Sequence, residues 1–261
     1  MASERASTQT FFSVSTLLFI ASVAVTIIWG ISMSAMDGMP MPGGWTMSMT
    51  WMTGTNWFGP AVSFLGMWIV MMIAMMMPSL VPMLWRYRQA AEATSNTRLG
   101  WLTVLAGVGY FFVWTIFGIA IFPIGVVLAT AEMQLPPLSH AVPLAIGLIF
   151  VVAGGLQFTK WKARHLACCR VSPGCGHGLP ATSATAWRQG VRFGLDCAQC
   201  CFGLMIILLV VGVMDLRAMA VVAVAITIER LLPAGERIAR ITGVVAIAAG
   251  LFLIGRAVGF G

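Results

Sequence analysis

The sequence predicts an all-α, polytopic transmembrane bundle of about seven helices with its N-terminus in the cytoplasm. Three observations carry this expectation. Hydrophobic residues make up 59% of the 261 and charged residues only 9%, against roughly 25% charged in an ordinary soluble domain, so lipid must solvate most of the surface. Apolar runs close to the roughly 20 residues that a membrane helix needs recur along the chain. The basic residues gather in the connections on one side of that pattern. The net charge of +7 therefore reads as membrane topology. A nucleic-acid partner is not expected, because the cations lie in short clusters between apolar runs.

The first span runs from Phe11 to Ile31. It is longer than the roughly 7–15 residues of a secretory signal core, so it is expected to be a retained anchor. Further spans follow at Pro60–Leu84, Gly100–Thr130, Val142–Phe158, Cys197–Met214, Leu216–Leu232 and Ile241–Val258. The fifth and sixth are joined only by Met214-Asp215-Leu216-Arg217 and should be adjacent and antiparallel. Gly154-Gly155, Gly203, Gly212 and Gly255-x3-Gly259 are positions where helix backbones can approach closely. With seven spans, Arg5, then Arg86, Arg88 and Arg98, then Lys160, Lys162, Arg164, Arg170, Arg188 and Arg192, then Arg230, Arg237 and Arg240 all fall on one side. Only Arg217 and Arg256 fall opposite. That thirteen-to-two bias puts those connections in the cytoplasm. Residues 1–261 form a single integral membrane domain, with an extracytoplasmic Met-rich loop at 32–59 and a cytoplasmic Cys/His-rich loop at 159–196. The expected location is a bacterial inner (cytoplasmic) membrane.

Methionine is the anomaly of composition, with nineteen in the chain. Met33, Met36, Met39, Met41, Met47, Met49 and Met52 crowd the first outside loop among Asp37-Gly38, Pro40, Pro42 and Gly43-Gly44, which argue against a continuous helix. Thioethers are soft neutral ligands that select Cu(I). The plainer reading is a segment lying in the membrane interface, with Trp45, Trp51 and Trp57 as belt residues. The second span continues the run. Met67, Met71 and Met75 form one stripe at helical spacing with Met72 and Met76 beside it. Such a stripe serves equally as core packing.

Every cysteine falls on the other side. His165, Cys168, Cys169, Cys175, His177, Cys197, Cys200 and Cys201 lie within about forty residues of a chain otherwise free of cysteine. A disulfide scaffold is not expected in a reducing cytoplasm. On a helix Cys197 and Cys201 share a face and Cys200 is one turn from Cys197, so two thiolates can reach one ion. Thiolate and imidazole donors suit Cu(I), Zn(II) or iron. Nearby Lys and Arg favour the thiolate form. Dithiol redox chemistry through Cys197-x2-Cys200 is the rival reading. Glu229 next to Arg230 suggests a local ion pair, and Asp196 is either an oxygen ligand or a helix N-cap. No nucleophile–base pair, phosphate-binding glycine loop or HExxH motif is present, which argues against an enzyme.

These residues carry a resemblance. Trp68-x2-Met71-x2-Ala74-Met75-Met76-x-Pro78, Gly109-Tyr110-x3-Trp114 and Gly155-x-Gln157-x2-Lys160 are followed by Lys162-x2-His165-Leu166-x2-Cys169-Arg170 and Cys197-x2-Cys200-Cys201-x2-Leu204-Met205. Over roughly residues 60–235 the chain resembles a bacterial family of integral membrane proteins known as domain of unknown function 2182, described as predicted metal-binding proteins. It departs from that pattern at His165, where the family has cysteine, and at Asp196, where it has an aromatic. The resemblance implies metal binding without an activity.

The expected function is Cu(I) handling, by transport or delivery. The Met loop collects the ion, Met67, Met71, Met75 and Met76 relay it, and the Cys/His cluster holds it inside. Metal chaperones or a larger membrane complex are expected partners besides the bilayer. Two alternatives stand beside this reading. One is a membrane thiol-redox or metallocofactor-assembly factor, and the other is an accessory subunit with a structural metal site.

Overall fold

In hydrocarbon every backbone N–H and C=O needs a partner within the protein, and helices provide one segment by segment. The computed structural model follows that rule. It describes residues 2–34, 39–41, 45–47, 57–91, 96–170, 182–213 and 215–259. Helix α1 spans Ala2–Ser34 and is followed by a short ribbon of β1 (Met39–Met41) and β2 (Trp45–Met47). The ribbon is antiparallel, with Met39 opposite Met47 and Met41 opposite Trp45. Then come α2 (Phe58–Ala90), α3 (Asn96–Gln134), α4 (Pro136–Leu156), α5 (Lys160–Arg170), α6 (Ser183–Val211), α7 (Leu216–Leu231) and α8 (Gly235–Gly259).

Helices form at all seven apolar segments, but they are not equal in length. Among the described residues five are long and apolar enough to cross a membrane, namely Arg5–Ser32, Phe58–Ala90, Thr97–Gln134, Ser183–Val211 and Gly235–Gly259. A sixth arises if Ala141–Leu156 and Lys160–Ala167, bent by 62° at their junction, form one broken span. Helix α7 has 16 residues, about 24 Å at 1.5 Å per residue, which is short of a hydrocarbon core about 30 Å thick.

The connection between the fourth and fifth segments also differs from a loop. Helix α5 and the first half of α6 occupy most of residues 159–196. Helix α6 runs for 29 residues, and its cap is Thr182, whose side chain accepts from the Thr185 N–H. Asp196 therefore sits in mid-helix and is not an N-cap. Hydropathy reveals only the apolar half of α6. The half carrying Arg188 and Arg192 is helical because it packs along α3.

Glycines set how closely the helices meet. On α6, a Cβ at Gly190 would strike the Ala106 backbone, and one at Gly194 would lie 2.9 Å from the Tyr110 carbonyl oxygen, so α3 and α6 run parallel in contact. Helices α4 and α8 are antiparallel. Gly154 and Gly243 meet, with a Cβ on Gly154 falling 2.7 Å from the Gly243 oxygen, and a Cβ on Gly250 would fall 2.6 Å from the Gly147 oxygen. Of the glycines singled out by sequence, Gly154 and Gly203 make close approaches, while Gly155, Gly255 and Gly259 face nothing within 4 Å. Gly212, at φ 132°, ends α6 and starts the turn into α7. Replacing Gly250 by Ala is expected to cost about 1–3 kcal/mol by overpacking, whereas Gly155→Ala is expected to be neutral or to gain up to ~1 kcal/mol of helix propensity. Thermal unfolding in mild detergent should rank the two in that order; equal melting would refute the close α4–α8 contact.

Helix α2 is the axis of the core. Trp68, Met71, Met72, Met75, Met76 and Leu80 are each no more than 2% exposed. Trp68 Nε1 donates to the Trp114 carbonyl at 2.8 Å, and the Phe64 and Phe122 rings meet at a tilt beside it with centroids 5.3 Å apart. Lower down, Arg88 donates to Ser7 Oγ at 2.8 Å and Thr103 Oγ1 at 3.3 Å, tying α1 and α3 to α2.

Candidate metal centre

The centre begins with the one-turn spacing of Cys197 and Cys201 on α6. Both are buried, at 0% and 1% exposure. The Cys201 thiol donates to the Cys197 carbonyl at 2.9 Å. Around Cys197 Sγ three other helices converge. The Tyr110 hydroxyl of α3 donates to it at 2.9 Å, and Arg230 Nη1 of α7 donates at 3.0 Å. Met76 Sδ of α2 lies 3.9 Å away. Two donors aimed at one sulfur stabilise negative charge on it. Two sulfurs each about 2.3 Å from one metal ion can be at most ~4.6 Å apart, so Cys197 and Met76 are within reach of a shared ion.

Arg230 is buried at 6% exposure and its guanidinium is fully engaged in the same place. Besides Cys197, Nη1 donates to Ser79 Oγ at 2.8 Å, and Nη2 meets Met83 Sδ at 3.1 Å. Ser79 Oγ in turn donates to the Met76 carbonyl at 3.0 Å. Pro78 and Pro82 lie inside α2 here. Each lacks an N–H, so the carbonyls of Ala74 and Pro78 lose their helical partners. The backbone beside Met76 is therefore less tied than the rest of α2.

A second buried polar group adjoins the first. Lys162 Nζ on α5 pairs with Glu229 Oε2 at 2.7 Å and donates to the Cys200 carbonyl at 2.6 Å. Gln157 Nε2 reaches Glu229 Oε1 at 3.4 Å. Glu229 and Arg230 thus have separate partners on other helices, because consecutive helical residues point about 100° apart. Their partners extend beyond the local pair suggested by their adjacency.

The expected ligands are partly gathered. Met76, Cys197 and Cys201 come together. Met71 and Met75 are buried in the same core, with Met67 half-buried against it. Cys200 is buried in a separate small cluster with Leu166. His165 stacks edge-on with Trp161 at 5.0 Å, and its Nδ1 is buried without a hydrogen-bond partner. Cys168 and Cys169 lie on α5, their side chains outside the described residues, as are Cys175 and His177 altogether. Among the described residues no three His, Cys, Asp or Glu side chains are placed to hold a metal ion. The donors that do converge are sulfur, two thiols with a thioether, and soft sulfur sets suit Cu(I).

Residues 65–253, more than half of the chain, match the model of a family described as PpoB2, copper chaperone. The chain belongs to the PpoB2 family. The family description names copper, where the motif resemblance gave only metal binding. It takes in Met76, Tyr110, Lys162, Cys197, Cys201, Glu229 and Arg230, and it begins after the Met-rich segment. No curated protein and no solved structure matches the chain.

The residues that sequence reasoning missed are Arg230, Ser79, Met83 and, as a sulfur partner, Tyr110. Tyr110 stood in a motif without a role. Arg230 was legible as an ionisable residue within an apolar helix, which is a functional signal in itself.

Proposed function

We propose that this PpoB2-family protein holds Cu(I) as cargo within the membrane at Cys197, Cys201 and Met76 and passes it on by ligand exchange. One observation carries the reading. Cys197 Sγ lies 3.9 Å from Met76 Sδ in a buried core, with Cys201 one turn along the same helix face. The role of Tyr110 and Arg230 is electrostatic. They hold the first thiolate in place, so a buried cation and a buried anion balance. When Cu(I) arrives, Cys201 gives up its thiol proton and becomes the second anionic ligand. The added proton loss matches the added positive charge of the ion.

Counted with all seven apolar segments crossing, the thirteen-to-two distribution of Lys and Arg supports an orientation with the N-terminus and the α5 side in the cytoplasm of a bacterial inner membrane. Copper then enters from the Met-rich side, moves along Met67, Met71 and Met75, and reaches Met76 and Cys197. Weak neutral ligands along the way suit a relay, since binding there must be loose enough to release. Cys168, Cys169, Cys175, His177, His165 and Cys200 are positioned by sequence on the exit side, where a cytoplasmic copper carrier would collect the ion.

The test is direct. Wild-type protein, titrated anaerobically with Cu(I) in detergent, should take up one tightly held ion per chain. Failure to retain any copper through desalting would overturn the reading. The relay has its own test. Met71→Leu/Met75→Leu nearly preserves volume and should cost less than ~1.5 kcal/mol of stability. In proteoliposomes its copper movement should collapse, while copper supplied from the α5 side still binds Cys197. A double variant that moves copper at the wild-type rate would reduce the stripe to packing.

A further inference from the structure

At the break between α4 and α5 lies a cleft of about 110 Å³, lined by Gln157, Phe158, Lys160, Lys162, Glu236 and Arg240 among others. It is separate from the sulfur site. The break itself is a tight turn, with the N–H groups of Gln157, Phe158 and Thr159 each bonding three residues back. It bends the chain by 62°, so α5 turns away from the line of α4.

The chemistry of the walls is specific. Lys162 is engaged with Glu229, which leaves Lys160 and Arg240 as cations on two elements and Glu236 as one carboxylate. That sums to a single positive charge facing the cleft. Gln157 is 94% buried, since it is 6% exposed, yet its Oε1 accepts no hydrogen bond. The cleft therefore offers cations for one anion, above a buried amide that braces Glu229. Its apolar border is equally defined. Phe158 is 49% exposed, Trp161 39% and Ile241 62%, and α4 and α8 continue from them as apolar helices. Basic pockets between membrane helices on the cytoplasmic side take lipid headgroups, and exposed tryptophan favours the headgroup level.

We propose that this cleft binds the headgroup of an anionic phospholipid carrying a single net negative charge, of the phosphatidylglycerol class. The phosphodiester sits between Lys160 and Arg240, and the acyl chains run along Phe158 and the outer faces of α4 and α8. A single phosphodiester charge balances the single net charge of the walls. The assignment rests on the membrane reading and not on copper.

Full-length protein, delipidated in mild detergent, would be titrated with phosphatidylglycerol, phosphatidylethanolamine, phosphatidylcholine or inorganic phosphate. Bound lipid would be read by native mass spectrometry and unfolding by a thermal ramp. Phosphatidylglycerol should give a stoichiometric adduct and raise the melting temperature, and inorganic phosphate should do neither. Lys160→Gln/Arg240→Gln, both exposed positions, should weaken the adduct roughly thirtyfold, at about a fivefold factor per cation, and leave Cu(I) uptake unchanged. A phosphatidylglycerol adduct as tight in the double variant as in wild type would overturn the proposal. So would equal binding of phosphatidylcholine or phosphatidylethanolamine, or equal stabilisation by free phosphate.

Discussion

Cys197→Ser/Cys201→Ser is expected to weaken Cu(I) binding by more than ~100-fold, beyond the 10–100-fold typical of changes in groups that merely support the ligands. Serine cannot supply a soft anionic donor near neutral pH, and the remaining thioether of Met76 is a weak neutral one. The volume change is small, so the bundle should persist, and a thermal melt in detergent confirms that the loss is chemical. Two companions sharpen the result. Tyr110→Phe removes a donor 2.9 Å from Cys197 Sγ and should fall in the lesser, ~10–100-fold class. Cys200→Ser should retain copper, because Cys200 packs in a separate cluster with Leu166. Copper uptake at wild-type affinity by the double serine variant would refute the sulfur site.

The largest stability effect is expected from parting Lys162 and Glu229. Their side chains are only 5% and 2% exposed and meet at 2.7 Å. Removing one partner strands the other charge in a low-dielectric interior, which costs about 3–5 kcal/mol. Lys162→Met does more than that, since the Cys200 carbonyl also loses a donor at 2.6 Å. The melting temperature of Lys162→Met and of Glu229→Leu should both drop sharply. The double variant, with neither charge, should recover much of the loss, as apolar replacement of a buried pair often does. A double variant as unstable as the sum of the singles would mean that the pair acts through its shape and not its charge.

The helices were legible because hydropathy needs no knowledge of partners. The apolar stretches at Phe11–Ile31 and Pro60–Leu84 declare themselves by length, and α1 and α2 stand there. Cys197 and Cys201 were legible for a similar reason, since one-turn spacing fixes a shared face within a single helix. What stayed hidden depends on how separate helices are rotated against one another. Tyr110 meets Cys197 across 87 residues and Met76 meets it across 121, and periodicity within one helix carries nothing about those distances. Adjacency alone did not reveal the partners of Glu229 and Arg230 on α5, α2 and α6. Hydropathy also hid the polar half of α6, which is helical through its contact with α3. Of the α4–α8 glycines Gly154 was picked out, but Gly147, Gly243 and Gly250 were missed, because the spacing is seven residues, Gly147 to Gly154 and Gly243 to Gly250, and not the four-residue pattern.

The turn at Gly212 works as a ruler. Cys197 stands fifteen residues before it and Arg230 eighteen after it in the sequence. The two helices fold back upon each other, so the guanidinium arrives level with the sulfur only because the two counts nearly match. On α7 the side turned inward is Met219, Val222, Ile226, Glu229 and Arg230, while Val221, Val224 and Ile228 are exposed. Exchanging one exposed valine for another apolar residue leaves the count intact. Adding or deleting a single residue within α7 between Leu216 and Glu229 would turn its end by about 100° and slide it ~1.5 Å. Arg230 would then miss Cys197, and Glu229 would miss Lys162 in the same stroke. Length, and not residue identity, is what this short helix cannot vary.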